Sequence, residues 1–148
     1  MTNSDLLDLV KTYKHEFTPV EDGFHRYDKD SSLICYALLR HFKPVNCLEF
    51  GSSSGGATDF IQKALLKNKQ PFSFITFEQE RDLAVATKDY VFKENDSVPM
   101  IFSGKIEEYL DYIPSDLDFV FIDTNHDIEN TKWYMENIFP RVKKGALV

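Results

Sequence analysis

Cysteine is scarce in this chain of 148 residues: only Cys35 and Cys47 occur. Their spacing matches no metal-ligand pattern. One lies in a helical pattern and the other in a strand pattern, so both read as small buried apolar residues in a reducing compartment. Basic residues are outnumbered 17 to 24, for a formal net charge of −7. A protein that grips nucleic acid through its phosphates carries the opposite balance. The block Arg141-Val142-Lys143-Lys144 is too short to reverse that reading and is expected to be solvated surface. No apolar run approaches the roughly 18 residues that span a bilayer. The N-terminus lacks the basic start and continuous apolar stretch of a signal peptide. Internal repeats, low-complexity tracts and linkers are also missing. These absences predict one soluble, cytoplasmic domain that engages neither membrane nor nucleic acid.

What is present is a good core composition. Hydrophobic residues make up 43% and aromatic residues 14%, with 13 Phe and 7 Tyr, which favours a packed core over disorder. Apolar spacing predicts a short helix over residues 4–14, with Leu6, Leu7, Val10 and Tyr13 on one side. A loop over 15–29 follows, containing Pro19 and Gly23. A second helix is capped by Asp30 or Ser31, carries Leu33, Ile34, Ala37, Leu38 and His41 in register, and ends at Pro44.

From there strands alternate with helices. Strands are read at 45–50, 72–77, 98–102, 117–123 and from Gly145. The intervening helices are read at 57–68, 80–92, 106–113 and 128–139. In the first of these Ala57, Phe60, Ile61, Ala64 and Leu65 share a face. In the last, Ile128, Thr131, Met135 and Ile138 do so. Such alternation implies parallel pairing through right-handed crossovers. Strands that are almost wholly apolar imply a sheet covered on both faces. The fold class is therefore α/β, a Rossmann-like doubly wound sheet of about five mainly parallel strands in the order 3-2-1-4-5. Residues 1–44 form an N-terminal helical segment and 45–148 the sheet domain. Ligands of such sheets bind beyond the carboxyl ends of the strands, where the strand order reverses.

The first strand runs into Gly51-Ser52-Ser53-Ser54-Gly55-Gly56. Glycines there permit a tight turn and close approach of a ligand to the backbone, and the next helix offers free N–H groups. A plain strand-to-helix turn explains the loop equally well. It is not a triphosphate loop, because Ala57 stands where lysine is required. It fits the dinucleotide pattern poorly, because position 53 is serine. Glu49 works against a polyphosphate beside it and favours a cationic ligand. Two unit charges about 4 Å apart interact by roughly 4 kcal/mol at an effective dielectric of 20. Pairing with a lysine or with backbone N–H groups is the structural alternative for Glu49. Glu78, ending the second strand, is placed to accept hydrogen bonds from ribose hydroxyls, or alternatively to cap the helix that starts near Glu80. The fourth strand ends at Asp123, with His126 three residues on. The pair can act as a general base, or Asp123 can ligate a divalent metal. A helix-capping Asp123 with an exposed His126 is the alternative. His15, His25 and His41 have no comparable setting and read as surface or interface residues.

Four pieces in this order, "LEFGSSSGGAT", "ITFEQE", "MIFSGKIEEYL" and "DFVFIDTNHDIENT…VKKGALV", cover about residues 45–148. Together they resemble the class I S-adenosylmethionine-dependent methyltransferases. The likeness is strongest to the small-molecule O-methyltransferase group whose fourth strand ends Asp-x-x-His. The resemblance implies methyl transfer from S-adenosylmethionine to an oxygen or nitrogen of a small-molecule acceptor. It implies that Glu49 and Gly51 hold the methionine end of the cofactor, with Ser52, Ser53 and Gly55 on the same loop. Glu78 would bind the ribose and Ser103-Gly104-Lys105-Ile106 the adenine edge. Asp123 would lie near the sulfonium, or on a metal in metal-dependent members, and His126 would face the site. Lys105 departs from the acidic or small residue common in the family.

The chain also ends at Val148, where the family usually continues with an acidic residue, a helix and an antiparallel strand pair. The expectation is a fragment, or a reduced form that pairs with itself or with a partner. A non-catalytic Rossmann-like binding or assembly module, and a NAD-binding oxidoreductase, are the competing readings.

Overall fold

The computed structural model describes residues 1–18, 28–95, 97–125 and 127–148. The predicted loop's Pro19, Gly23, His25 and the segment 24–27 lie outside them, as does His126. Helix α1 spans Asn3–Tyr13 and opens on a reciprocal cap. The Thr2 hydroxyl accepts from the Asp5 N–H, and the Thr2 N–H donates to the Asp5 carboxylate. Leu9 is its buried residue, whereas Leu7, expected to face inward, is 60% exposed. Helix α2 spans Lys29–Phe42. Its cap is Asp28, which accepts from the Ser31 N–H, rather than Asp30 or Ser31. Its buried side includes Leu33, Tyr36, Ala37 and Leu39, while Ile34 and His41 are exposed.

The sheet is built from β1 (Asn46–Phe50), β2 (Ser73–Glu78), β3 (Met100–Ser103), β4 (Leu117–Ile122) and β5 (Val142–Leu147). All neighbours pair in parallel, in the order β3-β2-β1-β4-β5. The expected topology is thus the observed one. Helices α3 (Gly56–Lys67), α4 (Arg81–Asn95) and α5 (Ile128–Asn137) make three of the crossovers. The crossover from β3 to β4 is a 3-10 stretch, Ile106–Tyr112, where an α-helix was expected. β5 starts three residues earlier than expected.

Two apolar layers sandwich the sheet. On one face Cys47, Phe74 and Phe119 meet Tyr36 and Leu39 of α2 and Ala57, Phe60, Ile61, Ala64 and Leu65 of α3. The α3 set is the one its spacing predicted. On the other face Leu48, Phe50, Ile75, Phe77 and Val120 meet Ile113 and Ile138, with Phe102, Tyr109 and Tyr134 beside them. Here the predicted phase of α5 is corrected. Ile128 and Met135 are 74% and 56% exposed, and the helix instead turns Asn130, Trp133, Tyr134 and Asn137 inward, ahead of fully buried Ile138. Among the described residues no helix is long and apolar enough to cross a membrane. Both cysteines are free, and burial pushes the Cys35 thiol up to about 12 and the Cys47 thiol higher still, so neither is a nucleophile at neutral pH.

Candidate functional site

β1 lies between β2 and β4, so the chain leaves β1 toward one side of the sheet and returns on the other. Above that reversal a cleft of about 750 Å³ opens at the carboxyl ends of the strands. Its floor is Phe50, Gly51 and Phe77, its walls Glu78–Glu80 and Gly104–Glu107, and its far side Asp123–Asn125 with Asn130 and Tyr134.

The glycine loop is held by its own backbone. The Gly51 N–H donates to the Phe77 carbonyl at 2.9 Å, and Gly51 adopts φ +85°. A methyl group on its α-carbon would stand 2.1 Å from the Asp123 carbonyl oxygen. The bare α-carbon is therefore demanded first by the neighbouring strand end. Gly55, at φ +97°, caps α3, and a side chain there would press on Thr87 at 3.2 Å. The Ser52 side chain turns away from the cleft into the core. The Thr87 hydroxyl donates to the Ser53 carbonyl (2.7 Å), so Ser52 Oγ donates to Thr87 Oγ1 (3.1 Å).

Glu78 reaches under this loop. One carboxylate oxygen accepts from the Ser53 N–H at 2.7 Å and the other from the Glu80 N–H at 3.0 Å. The two roles weighed for it are thus compatible. It secures the backbone at the start of α4, and each oxygen keeps a lone pair for a ligand hydroxyl. At the next strand, the Gly104 N–H donates to the Glu78 carbonyl, and Tyr109 Oη donates to the Ser103 carbonyl at 3.0 Å. This brings Gly104, Lys105 and Ile106 to the cleft edge. Asp123 is carried in by its N–H, which donates to the Phe50 carbonyl at 2.9 Å. Its carboxylate is exposed to the cleft and does not cap α5, a task taken by Asp127.

Glu49 is the correction. Expected beside Glu78 and Asp123, it is fully buried and lines no part of the cleft. Side chains alternate along a strand, so Glu49 shares the face of Cys47, toward α2 and α3, while Phe50 shares that of Leu48. The Thr58 hydroxyl of α3 donates to one of its oxygens at 2.7 Å. Thr76, its register partner on β2, eases the charge without closing a hydrogen bond, and the second oxygen is unpartnered. Burial pushes this carboxyl up to about 7; the two threonines oppose the shift, and the charges of Asp123 and Glu78 add to it.

Sequence reasoning missed Phe50, Phe77, Thr124, Asn125, Asn130 and Tyr134 as lining residues. Asn130 and Tyr134 are four apart on α5, a spacing that could have revealed them once Asp127 was recognised as the cap. Among the described residues no three His, Cys, Asp or Glu side chains gather to hold a metal ion. The cleft as built offers a carboxylate with spare acceptor capacity, an apolar floor and an acidic rim, Glu78, Glu80, Glu107 and Asp123 against Lys105. That chemistry suits a ligand with a diol, a flat apolar part and a positive charge.

Among solved structures, similar ones include an O-methyltransferase from Bacillus cereus in complex with SAH. It is 19% identical with a TM-score of 0.68, over 97% of this chain and 63% of that one. An SAH-bound methyltransferase from Podospora anserina is 16% identical with a TM-score of 0.67, over 99% and 61%. An O-methyltransferase of tomaymycin synthesis from Streptomyces achromogenes, in complex with SAM, is 17% identical with a TM-score of 0.63, over 93% and 61%. At these identities the likeness is one of fold, and the chain spans about three-fifths of the length of these structures. No curated protein matches the sequence. Residues 48–148, from β1 through β5, match the family described as "Methyltransferase domain", and the chain belongs to that family.

Proposed function

We propose that this chain binds S-adenosylmethionine in the cleft and serves methyl transfer to an oxygen or nitrogen of a small-molecule acceptor. The observation that carries the reading is Glu78. Its carboxylate sits at the end of β2, locked to the glycine loop through Ser53, with acceptor capacity left toward the cleft. Such a group accepts paired ribose hydroxyls. The residues present fit the cofactor. Ile106, Phe77 and Gly104 offer an apolar edge for a purine, with Lys105 beside them. Asp123 and the acidic rim suit cationic sulfonium and ammonium groups better than a pyrophosphate. Gly51, Ser53 and Gly55 shape the loop, while Ser52 and Glu49 support it from behind.

The bound cofactor supplies an electrophilic methyl group. The protein's part is placement, holding the acceptor atom near 3–3.5 Å and in line. Asp123 takes the acceptor's proton, and His126 keeps its sequence-based assignment to the same task. A divalent metal at Asp123 finds no second and third His, Cys, Asp or Glu ligand among the described residues. Residues 45–148 carry the site, and 1–44 supply α1 and α2, which cover one face of the sheet. The two free thiols support a reducing, cytoplasmic setting.

Calorimetric titration tests the reading. S-adenosylhomocysteine is expected to bind and NAD not to bind. Binding of NAD alone would support an oxidoreductase, and binding of neither a non-catalytic module. Glu78→Ala should weaken S-adenosylhomocysteine by about 10- to 100-fold, the worth of a charge-assisted hydrogen bond. An unchanged affinity removes the ribose assignment.

A further inference from the structure

Among the cleft residues not absorbed by the proposed function are Thr124, next to Asp123, and Tyr134, in the second turn of α5. Thr124 Oγ1 and Tyr134 Oη lie 2.9 Å apart. The Tyr134 ring is half-buried against Phe50, centroids 5.1 Å apart, and Phe50 stacks on Phe77 at 5.5 Å. The Thr124 methyl carbon stands 3.2 Å from the point a Gly51 side chain would begin. Thr124 therefore stands beside the open side of Gly51 and meets α5 through its hydroxyl, one residue after Asp123 enters the cleft. Ile128 and Met135 turn outward, so the side chains of this helix that pack against the sheet's core are Trp133 and Tyr134.

We propose that Thr124 and Tyr134 are a positioning pair, a hydroxyl–hydroxyl latch that fixes the loop after β4 onto α5 and, through the Tyr134 ring on Phe50, onto the end of β1, and so sets the Asp123 carboxylate in the cleft. The proposal rests on the methyltransferase reading for its purpose but not for its test. Phe50 supplies the wall, since its carbonyl accepts the Asp123 N–H and its ring backs Tyr134. Tyr134 supplies reach, because a shorter residue could not meet Thr124 while resting on Phe50. The hydroxyls matter separately from the packing. Tyr134→Phe keeps the ring on Phe50, and Thr124→Val keeps a branched side chain of the same shape beside Gly51.

Amide hydrogen exchange on the unliganded protein reads the latch directly. Exchange at the Asp123 and Gly51 amides is expected to quicken at least tenfold in Tyr134→Phe and in Thr124→Val. It should stay at the wild-type rate in Thr124→Ser, which restores the hydroxyl. Wild-type rates in the first two variants overturn the proposal. So does a quickening spread evenly over the whole sheet, which would signal general destabilisation. Should Tyr134→Phe not fold, the Thr124→Val and Thr124→Ser pair decides alone. A second reading uses S-adenosylhomocysteine as probe. Tyr134→Phe and Asp123→Asn should each weaken its binding several-fold, and the double variant should be no weaker than Asp123→Asn alone. Additive losses overturn the latch. Failure of the wild-type protein to bind the probe overturns the proposed function instead and leaves the exchange test standing.

Discussion

Gly51→Ala is expected to destabilise the protein by more than about 3 kcal/mol, in the range reserved for backbone collisions and buried defects. Two costs combine. At φ +85° a β-carbon meets the left-handed penalty of roughly 1–2 kcal/mol. The same β-carbon would also lie 2.1 Å from the Asp123 carbonyl oxygen and 2.9 Å from its carbon. Neither atom can rotate aside, because the Asp123 N–H is bonded to Phe50 and the Gly51 N–H to Phe77. Relief requires β1 and β4 to part at the cleft, which takes the candidate ligand site with it. Gly145 is the internal control. It has nearly the same dihedral, φ +87°, but no atom within 4 Å of its missing side chain. Gly145→Ala should therefore show the conformational penalty alone. Urea melts of the two variants separate the contributions. Equal losses would mean that the loop yields and that the collision is not what makes Gly51 a glycine.

That contrast also shows what a sequence reveals and what it hides. The pattern of strands, helices and glycine loop was readable, because parallel strands buried on both faces are written as uninterrupted apolar runs and α3 carries a clean helical stripe. The same property hid the side of the sheet on which each residue falls. A strand without polar alternation has no visible phase, so Glu49 could not be assigned to the α3 face rather than the cleft. Proximity in sequence to Gly51 suggested the wrong one. α5 failed for a related reason. Its inward face is built of Asn130, Trp133, Tyr134 and Asn137, polar or amphipathic side chains, and a search for apolar spacing settles on Ile128 and Met135, which are exposed. In α2 the amphipathic Tyr36 is among the deepest side chains while Ile34 lies outside. Glu78 and Asp123 were found because strand ends are fixed by topology rather than by phase. The glycine at 51 was found too, but its reason, the carbonyl of Asp123 some seventy residues away, belongs to tertiary structure.

Glu49→Gln is expected to stabilise the protein at neutral and alkaline pH while leaving it unchanged in acid. Burial among Thr58, Thr76 and the α2–α3 layer pushes the Glu49 carboxyl from its ordinary 4.5 up to about 7. The folded state thus binds this proton more tightly than the unfolded state. Its contribution to stability is fully present below about pH 4.5, declines as pH rises, and is lost above about pH 7. The difference corresponds to about 3 kcal/mol. Glutamine keeps the shape and an oxygen for the Thr58 hydroxyl but carries no charge, so it should remove the decline. Urea unfolding of both proteins from pH 4 to pH 8 reads the effect as curves that meet in acid, separate between about pH 4.5 and pH 7, and keep a constant gap above that. A gap that stays the same from pH 4 to pH 8 would show that Glu49 is not held protonated.

A cost of this size has a use in the proposed function. The negative charges of Glu78 and Asp123 in the cleft help to raise Glu49. A cation bound between them must act through the same field in the opposite sense and lower it. Binding of S-adenosylmethionine near pH 6.5 should then expel a proton from Glu49, visible as a binding enthalpy that changes with the ionisation enthalpy of the buffer. Glu49→Gln should abolish that dependence. If the enthalpy varies with buffer equally in both proteins, the proton comes from elsewhere, and the buried carboxylate is a packing residue whose cost has no counterpart in binding.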